Sequence, residues 1–367
     1  MPIQHPNTVL QSDVLKQAVA ALKNGALVAI PTETVYGLAD DARNPYAVQS
    51  IFAAKGRPSD HPLIVHIAAP LANHDVASQE AAWFDLITPW VRDLSEDAMR
   101  LVLAFWPGPL TLVFKKDKHV LGAVTGDQDT VAIRSPNHSI AQALLREFGG
   151  GLAAPSANRF GRVSPTRAAD VRSEFDDLPE LLVLDGGDCQ VGIESTIVDM
   201  TCSPPKLLRP GAITPDQIQN RTGVTVVGQD QLAHSSADEA IPRVSGSLKA
   251  HYAPNTPMRM YALGALQDCL AEYPDTKSRV AVVMWESEQA IGFGQSTHLE
   301  LHTVTAPLSS ALFASGLYRL LRDLDDQAWD LILMPEPPKG QEWDGVRDRL
   351  QRACFGSGPS ESNHIKS

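Results

Sequence analysis

The chain is poor in the features that place a protein quickly. Its four cysteines, Cys189, Cys202, Cys269 and Cys354, stand far apart with no CxxC pair. That spacing argues against a structural zinc site and fits thiols kept reduced in a cytoplasm. No apolar run approaches the roughly 18 residues needed to cross a bilayer, and no early stretch resembles a signal peptide. Positive charge is scarce: 31 Lys and Arg face 43 Asp and Glu, for a formal net charge of −12. A general nucleic-acid binder needs a basic face, so that class is disfavoured, although an acidic protein can still carry a local basic cleft. The usual phosphate loops are missing. There is no GxxxxGK[ST], and Gly292-Phe293-Gly294 lacks the third glycine of a dinucleotide fingerprint. HExxH, GxSxG and EF-hand loops are also absent, which leaves the common metalloprotease, serine-hydrolase and calcium-binding classes without support.

What is there reads as two α/β domains. At 367 residues, 43% of them hydrophobic, the chain can build more than one ordinary core. Ser12 can cap a helix whose apolar positions are Val14, Leu15, Ala18, Val19 and Leu22, with Gly25 as its stop. Asn44 and Pro45 open a second helix, and residues 95–105 and 139–148 read as two more. Strands are predicted over 26–30, 63–67, 110–114, 131–134, 181–184, 195–198 and 206–208. Short strands joined by tight turns and interleaved with helices predict a mixed sheet. This first domain is expected to span 10–222. Residues 223–257 read as a long linker rich in Ser, Gly, Gln, Asp and Pro. A smaller Rossmann-like α/β domain is expected over 258–355, with strands at 258–261, 279–285 and 330–334 and helices at 308–324 and 341–353, followed by a disordered tail over 356–367.

Chemistry-bearing residues sit in the loops between these elements. The first strand runs into Thr32-Glu33-Thr34, two hydroxyls around a carboxylate. The second helix runs out into Lys55-Gly56-Arg57-Pro58. Two cations beside a helix end either face its dipole or hold a polyanion such as a triphosphate. Arg134 closes a strand that Thr130 opens, where it can form a rim salt bridge or grip a small carboxylate bidentately. The run from Ala154 to Asn158 combines small residues with the Ser156 hydroxyl and the Asn158 amide, and alone it is also an ordinary turn. Ser164 can serve a ligand or cap a helix from Arg167. Arg209-Pro210-Gly211 repeats the pairing of a cation with a rigid turn. His66 on an apolar strand and His61 in a loop each have a structural reading beside a functional one. The linker run Ser245-Gly246-Ser247-Leu248-Lys249-Ala250-His251-Tyr252 carries more chemistry than a passive spacer needs, and is expected to fold over a site as a lid.

Taken together, PTETVYGLA, KGRPSDHPLIVHI, FWPGPLTLV, VAIRSPNH, APSANRFGRVSPT, GIESTIVD, LLRPGAI and SGSLKAHYAPNTP resemble the two-domain threonylcarbamoyl-AMP synthases, in the order of that family. The resemblance implies a YrdC-like N-terminal domain, a twisted open mixed sheet flanked by helices, and a smaller C-terminal domain. It implies that L-threonine, bicarbonate and ATP, the last with Mg²⁺, give threonylcarbamoyl-AMP and pyrophosphate in the cytoplasm. The product serves modification of tRNA next to the anticodon through a separate transferase complex, so tRNA and that complex are candidate partners, with no membrane involved. The resemblance makes Lys55 and Arg57 the catalytic cations. It places Arg57, His61, Thr130, Ser156, Asn158, Ser164, Arg209 and Ser245 around ATP, and Thr34, His66, Arg134, Ala154 and Ser195 around threonine. His61 stands where many relatives have Asn, and Thr130 and Ala154 vary, so main-chain groups are expected to bind at those two positions. No metal-ligating residues are implied. Two other readings share this domain type: an RNA-binding or ribosome-associated module, and the carbamoyl transfer of hydrogenase-maturation proteins. The latter are larger and carry zinc-type cysteine spacings that this chain lacks.

Overall fold

The computed structural model describes residues 12–71, 75–228, 241–271, 278–287 and 299–358. The chain divides into two compact units, Met1–Arg159 with Pro165–Ser247, and Phe160–Ser164 with Leu248–Ser367. Among the described residues no helix is long and apolar enough to cross a membrane.

The first unit is built on nine strands: β1 (Val28–Ile30), β2 (Gly37–Asp41), β3 (Ile64–His66), β4 (Leu110–Lys115), β5 (Thr130–Arg134), β6 (Leu152–Ala153), β7 (Leu182–Val183), β8 (Thr196–Asp199) and β9 (Lys206–Arg209). They lie in the order β7-β1-β2-β6-β3-β5-β4-β8-β9. Parallel and antiparallel pairs are mixed: β3 runs parallel to β5, β5 antiparallel to β4, β4 parallel to β8, and β8 antiparallel to β9. One face of the central strands carries Val65, Leu112, Ile133, Val198 and Leu207 into the main core. That core is closed by α2 (Pro45–Lys55), α3 (Val76–Ile87) and α4 (Glu96–Phe105), through Ile51 and Phe52, Trp83 and Ile87, and Leu101 and Val102. Each such side chain contributes about 1.5–3 kcal/mol by leaving water, which offsets the entropy of ordering the chain. On the other side α1 (Ser12–Lys23) buries Ala18, Val19 and Leu22 against Val28 and Ile30.

Local signals start and stop these helices. The Asn44 side chain accepts hydrogen bonds from Tyr46 N and Ala47 N, and Pro45 takes the first helical position. Gly56 ends α2 at φ 61°, the left-handed region that glycine enters without a Cβ penalty. The helix after Ser164 begins later than the sequence reading: Arg167 is its N-cap, and Asp170 reaches back to Thr166 N and Arg167 N. Ser164 is therefore not the cap, because the acidic side chain one turn inside the helix already fills that role.

The second unit holds a four-stranded, wholly parallel sheet in the order β10-β13-β11-β12, with β10 (Met258–Tyr261), β11 (Ser278–Trp285), β12 (Leu299–Ala306) and β13 (Leu331–Pro335). The helix Ser310–Asp325 buries Phe313, Leu317, Tyr318, Leu321 and Leu324. The expected tail lies outside the described residues from 359 onward.

Candidate functional site

The face of the large sheet opposite the main core sets the site. Ile64, Val113, Ile197 and Leu208 line it and pack with Val244 from the 241–247 segment. Side chains alternate along a strand, so His66 shares the face of Ile64, and Thr130 and Arg134 share the face of Ala132. Strand direction then gathers the polar residues. Parallel pairing of β3 with β5 sets His66 beside Arg134. The antiparallel β4 brings its first residues, Leu110 and Thr111, to the same end, and β8 starts there with Thr196 opposite Leu110. Antiparallel β9 ends there at Arg209.

Arg134 is buried and held from three sides. Its Nε donates to Gly108 O (3.2 Å), its Nη1 donates to Thr34 Oγ1 (2.8 Å), and its Nη2 lies 2.7 Å from Glu33 Oε2. Gly108 belongs to the Trp106–Pro109 turn and is fixed by its N–H donating to Ser135 O (2.8 Å). Trp106 anchors that turn as a buried aromatic, its Nε1 donating to Leu110 O. The 31–36 loop is organised by Thr32, whose Oγ1 donates to Val35 O (2.6 Å) and accepts from Thr34 N and Val35 N. Val191 N donates to Glu33 O (2.7 Å) and pins the loop from another segment. His66 is kept neutral: burial and then the Arg134 charge lower its pKa to about 3.

Arg209 is buried too. Nε and Nη2 both donate to Ser195 O, Nη2 also reaches Ser195 Oγ, and Nη1 donates to Ser245 O (2.8 Å). Ser195 Oγ shares a 2.7 Å hydrogen bond with Thr111 Oγ1. Gly211 lets the following turn approach β8, since a Cβ there would stand 2.5 Å from Thr196 N. Arg57 donates through Nη2 to Pro62 O (2.9 Å), and both terminal nitrogens lie 3.4 Å from Ser245 Oγ. Two arginines far apart in sequence thus meet at one serine. His61 is half-buried in the same loop, its pKa lowered by burial and by Arg57. A small cavity beside Ser245 is lined by Ile64, Thr130, Ala132, Arg243 and Val244.

Lys55 takes a different position from Arg57. Its Nζ donates to Ser156 O (2.6 Å) and to Asn158 O, and burial holds its pKa well below the ordinary lysine value. The lysine clamps the 154–158 loop through its backbone. That loop also accepts Leu38 N at Pro155 O, and donates Ala154 N to Ile64 O and Ala157 N to Tyr36 O. The expected residues fall into three groups: Thr34 and His66 beside Arg134, Arg57 and Ser195 with Arg209 and Ser245, and a loop held by Lys55 (Ala154, Ser156, Asn158). Ser164 falls in the 160–164 segment that packs with the second unit. The linker run is split: Ser245 belongs to the first unit and His251 and Tyr252 to the second. There Tyr252 stacks on Tyr318 at 5.7 Å. Glu33 and Thr111 are polar residues of this site that sequence reading did not assign. Glu33 had a signal in its place between two hydroxyls, whereas Thr111 is a lone hydroxyl in an apolar strand and had none.

The donors assembled here are guanidinium groups, hydroxyls and main-chain amides, suited to carboxylate and phosphate oxygens. Among the described residues no three His, Cys, Asp or Glu side chains cluster to hold a metal ion.

Known proteins resemble this chain over most of its length. A family model described as "Telomere recombination" matches residues 20–211, and one described as "Threonylcarbamoyl-AMP synthase, C-terminal domain" matches 213–354. The Threonylcarbamoyl-AMP synthase of Bacillus subtilis (strain 168) is 37% identical over 93% of each chain. That of Pyrococcus abyssi (strain GE5 / Orsay) is 33% identical over 92% of this chain and 93% of its own length. The crystal structure of P. abyssi Sua5 complexed with L-threonine superposes with a TM-score of 0.77 at 33% identity, covering 94% of this chain and 95% of that one.

Proposed function

This chain belongs to the threonylcarbamoyl-AMP synthase family, and from that premise we propose that it is a nucleotidyltransferase converting L-threonine, bicarbonate and ATP to threonylcarbamoyl-AMP and pyrophosphate. The observation that carries the reading is that buried Arg134 and Arg209 stand at the same end of a single sheet, each with a hydroxyl partner, while Arg57 meets Arg209 at Ser245.

The chemistry follows from the donors. Arg134, braced by Gly108 O and Thr34, binds the threonine carboxylate. Thr34 and Ser195 offer hydroxyls and Ala154 a main-chain group to the rest of the amino acid, beside a His66 that adds no charge. Arg57 and Arg209 exchange Ser245 for phosphate oxygens, joined by His61, Thr130, Ser156 and Asn158. The threonine nitrogen, as free amine, bonds to the carbon of bicarbonate, and the carbon–oxygen bond that breaks releases water, leaving a carbamate. A carbamate oxygen attacks the α-phosphorus in line, and pyrophosphate leaves. Such transfers are accelerated mainly by positioning and by stabilising charge. Lys55 acts by shaping the 154–158 loop. Mg²⁺ would come with ATP, held chiefly by its phosphate oxygens and water, and would offset their charge. The product then supplies a separate transferase that modifies tRNA beside the anticodon.

The test is pyrophosphate release by the purified protein with ATP and Mg²⁺. Release is expected only when threonine and bicarbonate are both present. Equal release without threonine overturns the proposal.

A further inference from the structure

The buried Glu33–Arg134 pair holds more polar capacity than its internal contacts use. Glu33 and Arg134 are both at least nine-tenths buried. Their 2.7 Å contact is one of charge and not an aligned hydrogen bond: neither Glu33 oxygen nor Arg134 Nη2 has a hydrogen-bond partner among the described residues. Buried polar atoms left in that state are costly, and a native site keeps them when a ligand completes them. Arg134 does not need Glu33 for its orientation, since Gly108 O and Thr34 Oγ1 already fix the guanidinium plane. A carboxylate kept only as a counter-ion would also weaken the grip of Arg134 on a substrate carboxylate.

The shape of the substrate accounts for the pair. An α-amino acid carries an ammonium and a carboxylate on one carbon, and the protein presents a carboxylate and a guanidinium side by side. Resting on the function proposed above, we infer that Glu33 is the ammonium receptor of the threonine site, and that its Oε1 takes the first proton from the substrate nitrogen. The proton passes from the ammonium to Oε1, leaving a neutral amine and a carboxylic acid. The nitrogen lone pair forms the N–C bond to CO₂ supplied by bicarbonate, and a C–O π pair moves onto oxygen. The second nitrogen proton leaves to water, giving the carbamate, and Glu33 releases its proton to solvent before the next turnover.

The titratable and charged groups around Glu33 are Arg134 from β5, His138 after that strand, and Cys189 from the 185–191 loop. Burial keeps His138 from taking a proton easily, and burial followed by the Glu33 charge pushes the Cys189 thiol up. Neither is suited to take the ammonium proton. Glu194, the other buried glutamate nearby, acts on Lys55.

The experiment is calorimetric binding of L-threonine and of 3-hydroxybutanoate, its analogue without the amine, to the full chain at pH 7. The wild-type protein is expected to favour threonine by about 30-fold, the worth of one charge-assisted hydrogen bond. Glu33→Gln is expected to lose about that factor for threonine while holding 3-hydroxybutanoate within about threefold, and Glu33→Asp to recover part of the loss. Equal losses for both ligands would reduce Glu33 to a brace for Arg134 and overturn the inference. Absence of the preference in the wild-type protein overturns it without any variant, so the test survives a misfolded Glu33→Gln. Pyrophosphate release reads the proton step. In Glu33→Gln it should rise by about tenfold per pH unit from 6 to 8, as the free amine does. The wild-type profile should be flatter, and parallel profiles overturn the proton-accepting role. A wild-type protein that binds ATP but neither threonine nor the analogue overturns the functional reading itself, an outcome distinct from failure of the variant.

Discussion

Single residues in this protein hold charge where water is excluded, and each does so with a different resolution. His66 resolves it by staying neutral. Lys55 resolves it with two backbone carbonyls, and Arg134 with a hydroxyl, a carbonyl and a carboxylate. Asp40 on β2 is the least compensated. It is fully buried, one of its oxygens has no hydrogen-bond partner among the described residues, and burial raises its pKa to about 6. A carboxyl raised on folding binds protons more tightly in the folded state. Its contribution is complete below the ordinary carboxylate range near pH 4 and is lost as pH rises through 6. The variant Asp40→Asn cannot ionise, so it should remove that slope, worth about 2–3 kcal/mol between pH 4 and 7. Urea unfolding at pH 4.5 and 7 checks this, and an unchanged pH slope in the variant contradicts it. Asp40 carries no sequence signal of its own, because a carboxylate in GLADD reads as exposed until the strand is known to be covered.

At the scale of elements, most boundaries were legible because their causes are local. The cap at Asn44 and the stop at Gly56 lie within a few residues of what they control. The cost of violating one such signal can be stated. A Cβ added at Gly56 meets nothing within 4 Å, so Gly56→Ala tests backbone strain alone. It should destabilise the protein by about 1 kcal/mol and shift Lys55 and Arg57 at the helix exit. Denaturant unfolding, with ATP affinity measured alongside, reads both effects. Three of the elements that sequence reading missed, β2, β6 and α3, carry weak local signals. β2 (GLADD) is buried at its first four positions and has neither alternation nor strong strand formers, so pairing with β1 and β6 makes it a strand. β6 is two residues long and exists only through its neighbours β2 and β3. α3 lacks a wide apolar stripe and buries only Trp83 and Ile87.

For the whole molecule, the charge of −12 bears on partners. The excess of negative charge predicts weak tRNA binding, with dissociation constants of about 10⁻⁴–10⁻⁶ M near physiological salt and a shallow salt slope. Filter binding across a salt series measures both. Tight binding with a steep slope would favour a nucleic-acid module over a synthase that releases a small product. The ordered motifs of the sequence determined the family and which side chains to watch, and its periodicities determined that two α/β sheets form, since those properties are written in neighbouring residues. Only the tertiary structure decided that Arg57 and Arg209 meet at Ser245, that Lys55 faces backbone, and that Glu33 stands against Arg134. Those distances depend on strand order and direction and on contacts between segments far apart in the chain, up to the 188 residues that separate Arg57 from Ser245.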